Sequence, residues 1–153
     1  MPNTNWNDLS PLQLGPYAEY FAKMEFASYG LEVYTSEVDD HGIDFIVKTK
    51  QARFCEIQVK SAEGMNYVFV AKSKFDTKIP TFTSSCSYSL PNNSPISSSS
   101  QPQPGKNPAE VFVERDYNQE GQTSPPEYGI NISQKNYRVL ERYKFEDAVK
   151  TLI

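Results

Sequence analysis

Three polar side chains of different chemistry stand at alternate positions of one short run, Glu56-Ile57-Gln58-Val59-Lys60. In an extended chain successive side chains point to opposite faces, so Glu56, Gln58 and Lys60 share one face while Ile57 and Val59 anchor the other. Upstream, Ile43-Asp44-Phe45-Ile46-Val47 predicts the neighbouring strand of a hairpin, closed through Lys48-Thr49-Lys50-Gln51-Ala52, which brings Asp44 beside the same polar face. Two carboxylates, an amide oxygen and an ammonium then share one site. Hard oxygen donors of this kind suit Mg²⁺ or Mn²⁺, with Asp44 and Glu56 or Gln58 as ligands. A lysine alongside supplies charge to a phosphate or positions a water, which together is the equipment for phosphodiester hydrolysis. The plain structural reading of the same residues is an ion-pair ladder on an exposed hairpin, Glu56 to Lys60 with Asp44 across from them.

Two further groups bear on this chemistry. Glu19 stands three residues before Ala22 and seven before Phe26, on a partly apolar side of a predicted helix. A carboxylate there needs a cation, a metal or a hydrogen-bond donor, so Glu19 joins the candidate metal set. His41 is the only histidine, in the turn Asp39-Asp40-His41-Gly42, and without a second histidine it is read as a turn residue and not a zinc ligand.

The elements that must position these groups follow from turn chemistry and periodicity. Ser10-Pro11 and Gly15-Pro16 both predict helix entries and Gly30 a C-cap, and the helix is placed from about Pro16 to Tyr29 with Tyr17, Phe21, Met24 and Ser28 on one side. Leu31 to Thr35 reads as a first strand, the hairpin follows, and Tyr67 to Ala71, apolar on both faces, reads as a central strand. Val111 to Arg115 and Gly129 to Ile132 are extended. Ser133 caps a helix carrying Val139, Leu140 and Tyr143, and Phe145 to Leu152 forms a last helix with Val149 and Leu152 inward.

A chain of 153 residues suits one domain with one core. Its net charge of -4 argues against a surface coated for nucleic acid. Locally, however, Lys48 to Lys78 holds seven basic residues against three acidic ones, enough for a basic face. Two cysteines make neither a disulfide framework nor a metal set, and the N-terminal stretch lacks the basic and apolar regions of a signal peptide. No run is apolar enough to cross a membrane, and a cytoplasmic location is the simplest expectation.

The motifs Gly15-Pro16-Tyr17-Ala18-Glu19, Gly42-Ile43-Asp44 and Glu56-Ile57-Gln58-Val59-Lys60-Ser61 together resemble the PD-(D/E)XK nuclease superfamily, the restriction-endonuclease-like fold. More narrowly, they resemble a bacterial group in it whose members open with Gly-x-Tyr-Ala-Glu and carry Gln-x-Lys. The resemblance covers Gly15 to Phe75 well and Val111 to Tyr143 moderately. It implies an α/β domain with an αβββαβ core, its mixed central sheet flanked by helices. It also implies divalent-metal cleavage of DNA, Asp44 as the metal-binding acid, Lys60 as the catalytic lysine and Glu19 as an auxiliary acid. Gln58 departs from the commonest pattern, which has Asp or Glu there; a neutral amide binds metal less strongly than a carboxylate, and Glu56 is placed to compensate. The expected activity is that of a Mg²⁺-dependent deoxyribonuclease with DNA as partner and homodimerisation open. The runner-up is a catalytically inactive nucleic-acid-binding or protein-interaction module on the same fold.

From Thr81 to Pro108 the composition changes to serine, proline, glutamine, asparagine and threonine, which predicts a disordered insert, residues 79–108. A structureless insert of that length sits badly inside a compact domain. The resembling group has two apolar strands here. Taking the last base of each codon with the first two of the next, Thr81 to Tyr88 permits Leu-Tyr-Leu-Leu-Val-Leu-Val-Leu, a buried strand. The same shift around Ile96 to Pro104 permits a Leu-Ile-Leu run, then Pro-Ala-Thr-Ala and a tryptophan. The segment is therefore read as a frame-shifted version of two core strands. Sequencing the gene is expected to show base changes that shift and restore the frame around it; a biased, in-frame run of serine and proline codons without them contradicts this reading.

Overall fold

The computed structural model describes residue 6, residues 8–35, 37, 42–62 and 64–74, the backbone of 81–87, and residues 111–153. The turn residues Asp39 to His41 and the low-complexity residues 88–108 lie outside these. The chain is mixed α/β. Helix α1 runs Pro11–Ser28 and is followed by strands β1 (Glu32–Tyr34), β2 (Phe45–Lys48), β3 (Phe54–Ala62) and β4 (Tyr67–Ala71). Strands β5 (Thr81–Ser87), β6 (Phe112–Arg115) and β7 (Glu127–Asn131) precede the short helices α2 (Tyr137–Leu140) and α3 (Phe145–Val149).

The first helix starts five residues earlier than expected. Ser10 and Gln13 occupy the capping-box positions, with the Ser10 backbone N–H donating to Gln13 Oε1 at 2.9 Å, and Pro11 takes the first helical position. The helix passes through Pro16, at the small cost of one missing N–H donor near its solvent-facing start. Gly30, at φ +79°, follows the C-cap as predicted. The buried stripe is Leu14, Ala18, Ala22 and Phe26, every fourth residue, with Tyr17 and Phe21 packed at its margin. Met24, on the same side as Tyr17 and Phe21 in the sequence pattern, is 56% exposed.

The strands form two sheets. One has the order β1-β2-β3-β5, antiparallel from β1 to β3 and parallel between β3 and β5; the other has the order β4-β7-β6 and is antiparallel. The hairpin is borne out, with Phe45 opposite Ile57 and Lys48 opposite Phe54. Phe45, Val47, Cys55, Ile57 and Val59 point to one face of the first sheet and pack against the α1 stripe and against Phe145, Val149 and Leu152 of the C-terminal helical segment. Phe26 is at the centre, edge-on to the rings of Phe45 and Phe145. A second cluster joins Ala62 at the end of β3 to Val68, Val111, Ile132 and Leu140. The inward placing of Leu140, Val149 and Leu152 agrees with the sequence reading. Ser133 acts one turn ahead of α2, its Oγ accepting the Asn136 N–H at 3.2 Å.

Two expectations are corrected. The strand Tyr67–Ala71 is an edge strand of the second sheet, not a central strand, and Phe69 is 50% exposed on it. Apolar residues occupy both its faces for two reasons. Val68 and Val70 are buried, while Tyr67 lies flat over Gly129, stacks on Phe69 and donates its hydroxyl to Glu127 at 2.7 Å. The second correction concerns Thr81–Ser87. Composition predicts disorder there, yet its backbone pairs in parallel with β3 along seven positions, from Glu56 opposite Thr81 to Ala62 opposite Ser87. This strand coincides with the first of the two stretches that the shifted frame turns apolar. Alternate threonine and phenylalanine at its start are good strand formers, and β3 offers it an open row of backbone partners.

Candidate active site

β3 passes from solvent to core along its second face. Phe54 is exposed, Glu56 half-buried, Gln58 only 4% exposed, Lys60 half-buried, and Ala62 lies inside the second cluster. The strand alternation therefore brings Glu56, Gln58 and Lys60 to one face, as expected, and sets it at the junction between the two cores. Burying an amide this deeply is costly unless both of its ends find partners. Gln58 Oε1 is buried and has no hydrogen-bond donor among the described residues.

Asp44 reaches β3 by a route the sequence did not reveal. Its backbone N–H donates to Ile57 O at 3.0 Å, and its carboxylate Oδ2 accepts the Val59 N–H at 2.5 Å. Just before β2 begins, a side-chain carboxylate has taken over the backbone partner's part. A carboxylate has lone pairs for several donors, so this bond is compatible with facing a cation as well. Asp44 is thereby tied to the strand that carries the other three.

Glu19 is placed differently. It is half-buried on α1 beside the fully buried Ala18, and α1 covers the face of the sheet formed by Phe45, Ile57 and Val59. The face carrying Glu56, Gln58 and Lys60 is the opposite one. The sheet thus brings four of the five expected residues together and leaves Glu19 on the helix side. Among the described residues no three His, Cys, Asp or Glu side chains cluster closely enough to hold a metal ion.

The ion-pair ladder does not form: among the described residues neither Glu56 nor Lys60 has an ion-pair partner. Of the described basic residues between Lys48 and Lys74, two are held by carboxylates. Lys48 pairs with Glu32 at 3.1 Å, and Lys72 lies 2.5 Å from both Glu114 and Asp116. Their neighbour Lys74 does something else. Gly42, at φ +77°, lies against the Gln58 amide and the Lys74 stem: a Cβ on Gly42 would be 2.9 Å from Gln58 Nε2, 3.0 Å from Lys74 Cδ and 3.6 Å from Lys74 Nζ. Glycine adopts that conformation without strain, and a larger residue would also have to displace the Gln58 and Lys74 side chains. Lys74 therefore belongs beside the site, and the sole sign of it in the sequence was its membership of the basic stretch.

No protein-family model matches the chain, and no curated protein matches its sequence. The site has to be judged on its own geometry. That geometry is a buried, undonated amide oxygen, a carboxylate tied to the same strand, and two lysines without carboxylate partners among the described residues.

Gly42 offers a direct check on this packing. Ala52 shows that the chain tolerates an alanine at φ +59° where the turn is open, so left-handed strain alone is survivable. At Gly42 the added methyl also meets Gln58 and Lys74. Gly42→Ala is expected to lower stability by about 1–3 kcal/mol, read as a fall in the urea midpoint. An unchanged midpoint contradicts the described packing.

Proposed function

We propose that this chain is a metal-dependent deoxyribonuclease built on a PD-(D/E)XK-like framework, with Asp44 and Gln58 as the protein ligands of a Mg²⁺ or Mn²⁺ ion. The observation that carries this reading is the Gln58 amide oxygen, buried without a donor on the strand to which Asp44 is bonded. An orphaned buried oxygen costs about 1–3 kcal/mol, and a cation is one partner that offsets this. Mg²⁺ retains several waters and commonly takes only one or two carboxylates from the protein, so a sparse set of Asp44, Gln58 and nearby Glu56 fits it. When bound, the ion supplies charge to the phosphate and makes water acidic enough to attack near neutral pH.

The protein's own groups have separate parts in this proposal. Asp44 and Gln58 would hold the ion against the strand. Lys60, two residues on and on the same face, holds its ammonium toward the attacking water or the phosphate oxygen on which charge grows. Glu56 is a third oxygen donor or a base for the water. Glu19, from the helix side, has an auxiliary part at most. The order α1-β1-β2-β3, with a parallel strand beside β3, supports the αβββ part of that framework. A second reading has one observation in its favour: the ligand at 58 is neutral, which weakens metal binding and suits an inactive DNA-binding module on the same fold.

Plasmid nicking separates them. Because Asp44 also holds the Val59 N–H, Asp44→Asn is the cleaner variant, since it removes the charge while keeping an oxygen acceptor. Wild-type protein is expected to nick supercoiled plasmid only with Mg²⁺ or Mn²⁺, and Asp44→Asn and Lys60→Ala to lose roughly a hundredfold or more of that rate. Equal cleavage by both variants contradicts the assignment. Duplex binding without cleavage under any metal establishes the inactive module.

A further inference from the structure

The turn after β4 carries two lysines with opposite fates. Lys72 is pinned to the second sheet: its N–H donates to Pro126 O at 2.8 Å, its ammonium pairs with Glu114 and Asp116, and it lies over the Tyr128 ring. Two residues later in the same 3₁₀ turn, Lys74 points the other way, with its stem along Gly42 and its ammonium near the Gln58 amide. It is exposed and has no ion-pair partner among the described residues. In the sequence it is one of seven basic residues between Lys48 and Lys78.

We infer that Lys74 is the lysine that grips the DNA backbone at this site, and that the neutral amide of Gln58 keeps it available to do so. This rests on the reading of the site as one for DNA phosphate. The neighbouring group decides what an ammonium does. Beside a carboxylate it forms an ion pair; beside an amide it stays hydrated, and its three donors can exchange water for phosphate oxygens. The Gln58 amide lies against Gly42 beside the Lys74 side chain and brings no negative charge to that ammonium. With glutamate at position 58 an anionic oxygen would be within reach of Lys74. The glutamine that departs from the commonest motif pattern thus exchanges ligand charge for a free cation over the phosphate. Phosphate contacts of this kind position the duplex and make its binding depend on salt.

The test is fluorescence anisotropy of a labelled duplex titrated with the full chain in Ca²⁺ across a salt series. Lys74→Met keeps the stem against Gly42 and removes only the charge, so it separates packing from phosphate contact. It is expected to weaken duplex binding several-fold and to reduce the slope of log K on log salt by about one, with Lys74→Arg restoring both. In a Gln58→Glu background the Lys74→Met change is expected to leave the slope nearly unaltered, because the lysine is already held by the new carboxylate. Lys150→Ala, on a lysine paired with Asp147 in the last helical segment, serves as control. Wild-type affinity and slope in Lys74→Met, alongside Mg²⁺-dependent cleavage by the wild type, overturn the inference and leave the nuclease reading standing. No duplex binding by the wild type, with no cleavage, overturns both.

Discussion

The carboxylate of Asp44 accepts the backbone N–H of Val59, and this bond ties the start of β2 to the strand on which both hydrophobic cores meet. β3 has its odd-numbered residues under α1 and its last residue in the second cluster. With pairing on both edges, it cannot slide by one residue without moving Ile57 and Val59 out of the core and Gln58 into it. Every candidate group on the polar face is therefore placed by packing on the other one. The distances that matter are set by core residues with no chemistry of their own.

That dependence explains why the centre of the site was legible. Alternation of polar and β-branched residues from Glu56 to Lys60 determines a strand and its two faces, and the hairpin to Asp44 follows from the short connection between two strand patterns. The inward residues of the C-terminal segment were legible for the same reason. Other features depend on partners distant in sequence. Lys74 meets Gly42 through a flexible side chain, and no local pattern encodes that contact. Tyr67–Ala71 has apolar residues on both faces, which suits a central strand; the structure makes it an edge by laying Tyr67 across Gly129. Glu19 shares a helical side with Ala22 and Phe26, but which face of the sheet that helix covers is a tertiary fact.

Thr81–Ser87 shows local preference yielding to available partners. Its composition predicts no regular structure, yet it pairs with β3 from Glu56 to Ala62, and satisfying that edge outweighs the weak strand preference of serine. The consequence reaches the site, because the face bearing Gln58 and Lys60 is held flat only if both edges of β3 are paired. A strand of poor formers beside β3 leaves the positioning of Gln58 and Lys60 less firmly supported than an apolar strand would.

The central claim is that the buried oxygen of Gln58 is a metal ligand. Anomalous diffraction from crystals grown with Mn²⁺ tests it at the atom concerned. The account predicts a manganese peak at about 2.0–2.4 Å from Gln58 Oε1, with Asp44 in the same coordination sphere and water completing it. Density that shows Gln58 Oε1 hydrogen-bonded to a protein group or a water, with no metal beside it at saturating Mn²⁺, contradicts it.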